Sequence, residues 1–222
     1  RPTLYKPYRW INNLGIVVLD TIAVRVLFPT AAVGSALLAA QAGWGLFNVL
    51  PIQAGWAIVI SVVLLDLAIW AQHVAFHAVP VLWRLHRMHH ADVDFDVTTG
   101  LRFHPLEIVL SMLIKIAIVI AFGIPPIAVL IFELLLNASS LFNHGNVRLP
   151  RALDSVLRWL IVTPDMHRVH HSWDMSETNT NFGFNLSLWD RLFRTYRRDA
   201  KDGQEQMTIG LREFRAAGDQ RL

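Results

Sequence analysis

The chain has 222 residues, 54% hydrophobic and 17% charged, with a mean hydropathy of +0.39, and reads as a single membrane-embedded domain over residues 1–222, not as a soluble globule. It contains no cysteine, which excludes disulfides, thiolate metal ligands and cysteine catalysis. The formal net charge is +3, but the basic residues flank apolar runs, a pattern of membrane topology and not of nucleic-acid binding.

In chain order, the first apolar run extends from Leu14 to about Ala40, interrupted by Asp20 and Arg25. As a helix it would be roughly 40 Å long, enough to cross a bilayer with tilt or a bend at Pro29. A glycine-rich connection leads to the second run, Trp56–Ala71, which continues as helix into His73 and His77. The third and fourth runs, Leu106–Phe122 and Ile127–Phe142, are separated by "GIPP", whose glycine and paired prolines force a tight reversal. The expected fold is therefore all-α: an integral membrane protein of about four transmembrane helices, with residues 78–105 and 143–222 forming a helical cap.

Arg1, Lys6 and Arg9 precede the first run, Arg84, Arg87 and Arg102 lie between the second and third, and Arg148 and Arg151 follow the fourth. The two opposite connections carry no Lys or Arg, so both termini and the cap are expected on the cytoplasmic side. The first apolar run is too long for a secretory signal and lacks a small-residue cleavage site; the missing initiator Met suggests a chain that begins inside a longer one. Lys115 and Glu133 are each nine residues from Ile124. An antiparallel hairpin places them at one depth, where an unpaired charge costs about 2.5–3.5 kcal/mol, so they are expected to pair.

The chain has ten histidines, and eight form three clusters: His73 and His77; His86, His89 and His90; His167, His170 and His171. Imidazole is a neutral nitrogen ligand suited to iron, zinc and copper, and eight are too many for one ion with four to six positions. HxxxH puts two rings on one helix face. HxxHH adds to an i, i+3 pair an adjacent ring that points elsewhere, so each such segment can serve two ions. The two HxxHH segments, about eighty residues apart, must then converge. An intramembrane zinc hydrolase lacks its HExxH, and a metal transporter or storage protein would string histidines along a mid-membrane pathway.

The segments "HVAFH", "LHRMHH" and "MHRVHH", with "LRFHPLE", "FNHGNVRLP" and the closing "NTNFGFNLSLWDRLFRTY", resemble the fatty acid hydroxylase and sterol desaturase superfamily over nearly the whole chain. The resemblance implies a membrane non-haem diiron oxygenase that hydroxylates or desaturates a lipid C–H bond with O₂ and two electrons. An external donor, a b-type cytochrome or a ferredoxin with its reductase, would supply those electrons. Carried over residue by residue, it implies His73, His77, His86, His89, His90, His167, His170 and His171 as ligands, with His144 of "FNHGN" as a ninth. His104 of "FHPLE" matches a further family position and stands apart as a tenth candidate. The chain departs from the family at Trp70, where Tyr is common, and at Arg194, where Gly is common. Around the ligands, Asp66 is spaced to orient an imidazole or an arginine, or to bond a neighbouring helix. Asp165, Asp174, Asn143 and Asn179 are candidate acceptors for ligand N–H groups, with capping as the alternative. Trp159, Trp173, Phe182, Phe184 and Trp189 are candidates for a substrate channel or for ordinary packing.

Overall fold

The first apolar run is two helices. Proline cannot donate the helical hydrogen bond and restricts its predecessor, so the chain breaks at Phe28–Pro29 into α1 (Lys6–Leu27) and α2 (Ala31–Ala42). A short α3 (Leu46–Val49) follows, then α4 (Ala54–Ala78) and, after Val79, α5 (Pro80–His90). The hairpin is α6 (Pro105–Phe122) and α7 (Pro126–Asn143). The computed structural model describes residues 6–220; among these there is no strand, only two isolated backbone bridges. Four segments are long and apolar enough to cross a membrane: Pro7–Val49, Ala54–Ala78, Pro105–Phe122 and Pro126–Asn143. The protein is an integral membrane protein built from these spans.

α1 and α2 make one crossing between them. Arg102, just before α6, donates to Asn13 in α1, while Gly45, beyond α2, packs its backbone against Gly123 at the other end of α6. Gly123 has φ +63°, and a Cβ there would lie 2.6 Å from the Trp44 carbonyl, so only glycine closes this corner. α2 approaches α6 and α7 through small residues: Ala32 and Ala36 pack with Val119, Ile124, Ala128, Val129 and Phe132, as bilayer helices do where backbones come close. The expected charge pair is present, with Lys115 Nζ 2.7 Å from Glu133 Oε1.

The cap is made of α5, a 3₁₀ turn (Thr99–Leu101), and the short helices α8 (Arg151–Leu157), α9 (Pro164–His170), α10 (Met175–Thr178), α11 (Leu188–Leu192) and α12 (Gly203–Gln206). Ionic and polar contacts hold it to the spans. Arg9 of α1 is buried against Asp92 and Asp96, and Asn13 donates to Asp92 and Thr98. On the opposite side Asp190 accepts from Trp70 Nε1 at 3.1 Å, from the amides of Phe182 and Gly183, and from Thr195. Asp66 accepts from Asn185 and from Trp189 Nε1, both at 2.8 Å, so of its expected roles it takes the bond to a neighbouring segment and orients no imidazole. Trp70 also stacks on Phe193, ring centroids 4.5 Å apart; its indole donor thus has a defined partner on the cap. Arg194, which follows, stands at φ +62°, the left-handed conformation that glycine adopts without penalty.

Two measurements check this fold. Lys115→Met or Glu133→Leu alone strands a charge inside the span and should cost about 2–3 kcal/mol of stability in lipid, with much of the loss recovered in the double variant. Losses that simply add, read from thermal midpoints, would show the two groups to be independent. Arg194→Gly should raise stability by about 1 kcal/mol, by relieving the left-handed strain of a residue with a Cβ.

Candidate metal centre

Nine imidazoles meet where α4, α5, α7 and α9 come together, in two adjoining sets. His73, His77, His86, His90 and His170 offer ring nitrogens within 4.8 Å of one another, and so do His89, His144, His167 and His171. Each HH dipeptide is divided between the sets: His90 joins the first and His89 the second, with rings 88° apart, and His170 joins the first and His171 the second, with rings 84° apart. Consecutive helical side chains diverge by about 100°, so two neighbours on one short helix face two different points. The two HxxHH segments converge, as a shared centre requires. All of these rings are buried except the partly buried His77. Gly100 lies against His144: a Cβ there would sit 2.7 Å from its Nδ1.

The hydrogen bonds decide which nitrogen points inward. Nδ1 of His73 is 2.7 Å from the Phe182 carbonyl, Nδ1 of His170 is 2.7 Å from the Thr180 carbonyl, Nδ1 of His144 is 2.8 Å from the Ser140 carbonyl, and Nδ1 of His89 is 3.2 Å from the Arg102 carbonyl. His86 Nδ1 meets Glu107 Oε1 at 2.7 Å. A carbonyl or carboxylate only accepts, so in each ring Nδ1 carries the proton and Nε2 carries the lone pair. These Nε2 atoms face one another: His73–His86 at 3.1 Å, His73–His170 at 3.0 Å and His89–His144 at 3.3 Å. Two lone pairs at that distance repel, and a cation between them reverses the sign. Nitrogens about 2.1 Å from one ion and 90° apart are about 3.0 Å from each other. Among the described residues, His90 Nδ1 and Nε2, His77 Nε2 and His171 Nε2 are also buried without a hydrogen-bond partner. The residues present fit a metal in each set.

Burial, reinforced by the neighbouring imidazoles, holds His89, His90, His167, His170 and His171 well below the ordinary imidazole range, and burial pushes His144 down to about 4. The rings are thus neutral at pH 7, the state in which imidazole ligates.

Other candidates take other places. His104 is outside both sets: its Nδ1 accepts from the Leu106 amide, capping α6. Of the candidate acceptors, Asn179 faces His77 Nδ1 at 3.2 Å, whereas Asp174 caps α10 and Asn143 donates to the Phe184 carbonyl; Asp165 stands in the first turn of α9. The sequence reading missed Glu107 as the partner of His86; its carboxyl beside a proline at a helix start looks like an ordinary first-turn acid. Phe184 lines a cavity, Phe182 packs on His73, Trp189 is core, Trp173 lies under Arg212, and Trp159 is exposed under Arg191. The cavity, about 390 Å³, opens between α1, α4, α6 and α7 and has His73, His86 and Glu107 on its wall. The first histidine set therefore borders a space inside the membrane span.

Four apolar spans ending in a buried polyhistidine cluster under a cap define a class of membrane protein with side chains able to hold metal. The fatty acid hydroxylase family profile matches residues 58–195, and the chain belongs to that family. It is similar to alkylglycerol monooxygenase of Xenopus tropicalis, 28% identical over 66% of this chain and 32% of the relative. It is also similar to the ornithine lipid hydroxylase OlsE of Rhizobium tropici, 29% identical over 63% and 41%, and to human alkylglycerol monooxygenase, 26% identical over 75% and 35%. The chain thus spans about a third to two fifths of the length of these curated relatives. No solved structure matches it significantly.

Glu107→Gln should lower metal affinity by about 10–100-fold, because the carboxylate fixes the tautomer of His86 and raises its basicity. His104→Ala should leave metal content unchanged. Metal retained per chain against a graded chelator reads both; equal retention in Glu107→Gln and wild type would remove Glu107 from the centre.

Proposed function

We propose that residues 1–222 act as one catalytic membrane domain of an O₂-dependent lipid hydroxylase, and that the two histidine sets hold two iron ions. The observation that carries this reading is the inward convergence of Nε2 lone pairs from rings whose Nδ1 protons are already given away. Five donors exceed the tetrahedral preference of zinc, while imidazole suits non-haem iron and leaves a six-coordinate ion an open position. His73, His77, His86, His90 and His170 are assigned to one ion and His89, His144, His167 and His171 to the other, with His104 outside.

Iron bound here would supply the reduction of O₂ by two electrons, with one oxygen inserted into a C–H bond and the other leaving as water with two protons. The chain's own residues do the rest. The cavity walls of Ile69, Phe76, Met112 and Leu136 hold an alkyl chain and keep bulk water from the reacting carbon. His73 and His86 border the place where that carbon would lie. Glu107 holds the proton at His86 Nδ1, and the carbonyls of Thr180 and Phe182 hold His170 and His73 in register. The monooxygenase and hydroxylase names of the relatives favour hydroxylation over desaturation. The distribution of Lys and Arg supports a cytoplasmic centre and termini, within reach of a b-type cytochrome or a ferredoxin with its reductase.

Wild-type protein in lipid nanodiscs, given iron and a reductant, should consume O₂ and yield oxidised lipid. His170→Ala removes one inward Nε2 and should lose iron and turnover while the spans still insert, since insertion rests on apolar length and flanking charge. Iron content, O₂ uptake and lipid products are measured side by side at equal protein. Wild type that holds only zinc and gives no oxidised lipid would overturn the assignment.

A further inference from the structure

Among the described residues, the buried side-chain atoms of this cavity that lack any hydrogen-bond partner, Asp20 Oδ1, Gln72 Oε1 and Glu107 Oε2, are all acceptors. Asp20 of α1 is only 8% exposed, lies well inside the first span and lines the same cavity as His73 and His86. Its Oδ1 has no hydrogen-bond partner among the described residues, and neither has Oε2 of Glu107 on the same wall. The cavity carries three carboxylates, Asp20, Glu107 and Glu133, and a single ammonium, Lys115; that ammonium is engaged by Glu133 at 2.7 Å. Thr21 and Ser140 donate to their own neighbourhood, the Val17 and Gly100 carbonyls. A carboxylate oxygen left bare in an apolar span is costly. A plain hydrocarbon tail filling this space would displace water and leave it bare.

We propose that the lipid bound in this cavity brings its own hydrogen-bond donor, a hydroxyl or an ammonium group, and seats it on Asp20. The inference rests on the hydroxylase reading for what happens next, but not for binding itself. Asp20 is seven residues along α1 from Asn13, which is fixed to the cap through Arg102, so its carboxylate lies about 10 Å below that level. The donor is therefore received within the hydrocarbon layer, beneath the depth of ordinary headgroups. This arrangement selects an amphiphile whose polar group can be drawn inward, and it places that group and the first histidine set on one cavity wall. Asp20 would act by binding and orienting substrate, with no part in the oxygen chemistry.

Three probes of matched chain length separate donor from shape: dodecan-1-ol, dodecylamine, and 1-methoxydodecane, which accepts but cannot donate. Binding is read as the ligand-dependent rise in thermal midpoint of iron-loaded protein in phosphatidylcholine nanodiscs without O₂, so no turnover is needed. The alcohol and amine should bind wild type about tenfold or more tighter than the methyl ether, as a hydrogen bond to a charged group provides. Asp20→Leu should abolish that preference. Asp20→Asn, which keeps an acceptor without the charge, should retain the preference for the alcohol and lose most of that for the amine. Equal binding of alcohol and ether to wild type, or an unchanged preference in Asp20→Leu, would overturn the proposal. Should Asp20→Leu not fold, the amine-to-ether ratio in wild type and Asp20→Asn decides it, and an unchanged ratio would overturn the proposal. Protein that binds with this preference but never oxidises lipid would sink the hydroxylase reading and leave the Asp20 site standing.

Discussion

A neutral imidazole has one proton and one lone pair, and pinning the proton decides where the lone pair points. The orientation of five of the nine rings depends on that constraint. Five rings give Nδ1 to a rigid acceptor and turn Nε2 inward, and four of the acceptors are backbone carbonyls. A carbonyl cannot rotate away as a side chain can, so ring orientation is inherited from the path of the chain. The Ser140 carbonyl belongs to α7 and is held by its helix. Those of Thr180 and Phe182 belong to an irregular segment and need support from elsewhere.

That support is a set of hydrogen bonds outside the centre. Asp190 gathers the amides of Phe182 and Gly183 together with the Trp70 indole, which ties the carbonyl-bearing segment to the helix that carries His73. Asp66 does the same one turn away through Asn185 and Trp189. On the other flank, Arg102 donates to the Met88 carbonyl and to Asn13, so the carbonyl facing His89 is anchored to both α5 and α1. Asp190, Asp66 and Arg102 thus serve as positioning devices. Each is satisfied by several hydrogen-bond partners, without which a buried charged group is costly.

The membrane part obeys a different economy. Among bilayer helices apolar burial provides little drive, and many large apolar side chains of the spans face outward, among them Leu38, Trp56, Val59 and Leu134. Association rests on the close approach of small residues in α2 and on the Lys115–Glu133 pair. Several polar groups of the spans, Asp20, Glu107, Lys115 and Glu133, line the cavity, and the cavity leads to the first histidine set.

The number of the spans, the hairpin at "GIPP" and the pairing of Lys115 with Glu133 were legible in the sequence, because each follows from apolar length, proline chemistry or helical rise; the first span runs Pro7–Val49, longer than the Leu14–Ala40 run, and at Pro29 it breaks into two helices where the sequence allowed tilt or a bend. The division of each HH pair between two points was legible too, since consecutive helical residues must diverge, but the expected i, i+3 partnership was not met: His86 shares a set with His90 and His167 with His171, while His89 and His170 join the opposite sets. What the sequence could not supply is the identity of the hydrogen-bond partners. Asp66 was spaced like an imidazole orienter but binds the cap, while Glu107, quoted within a motif, turned out to hold His86. Nor could spacing set His104 apart, since only the fold shows it capping a helix. The orienting carbonyls at Thr180 and Phe182 have no side-chain signature at all. They lie 10 and 109 residues from the rings they hold, and only tertiary structure brings a backbone atom, which every residue possesses, to one particular imidazole.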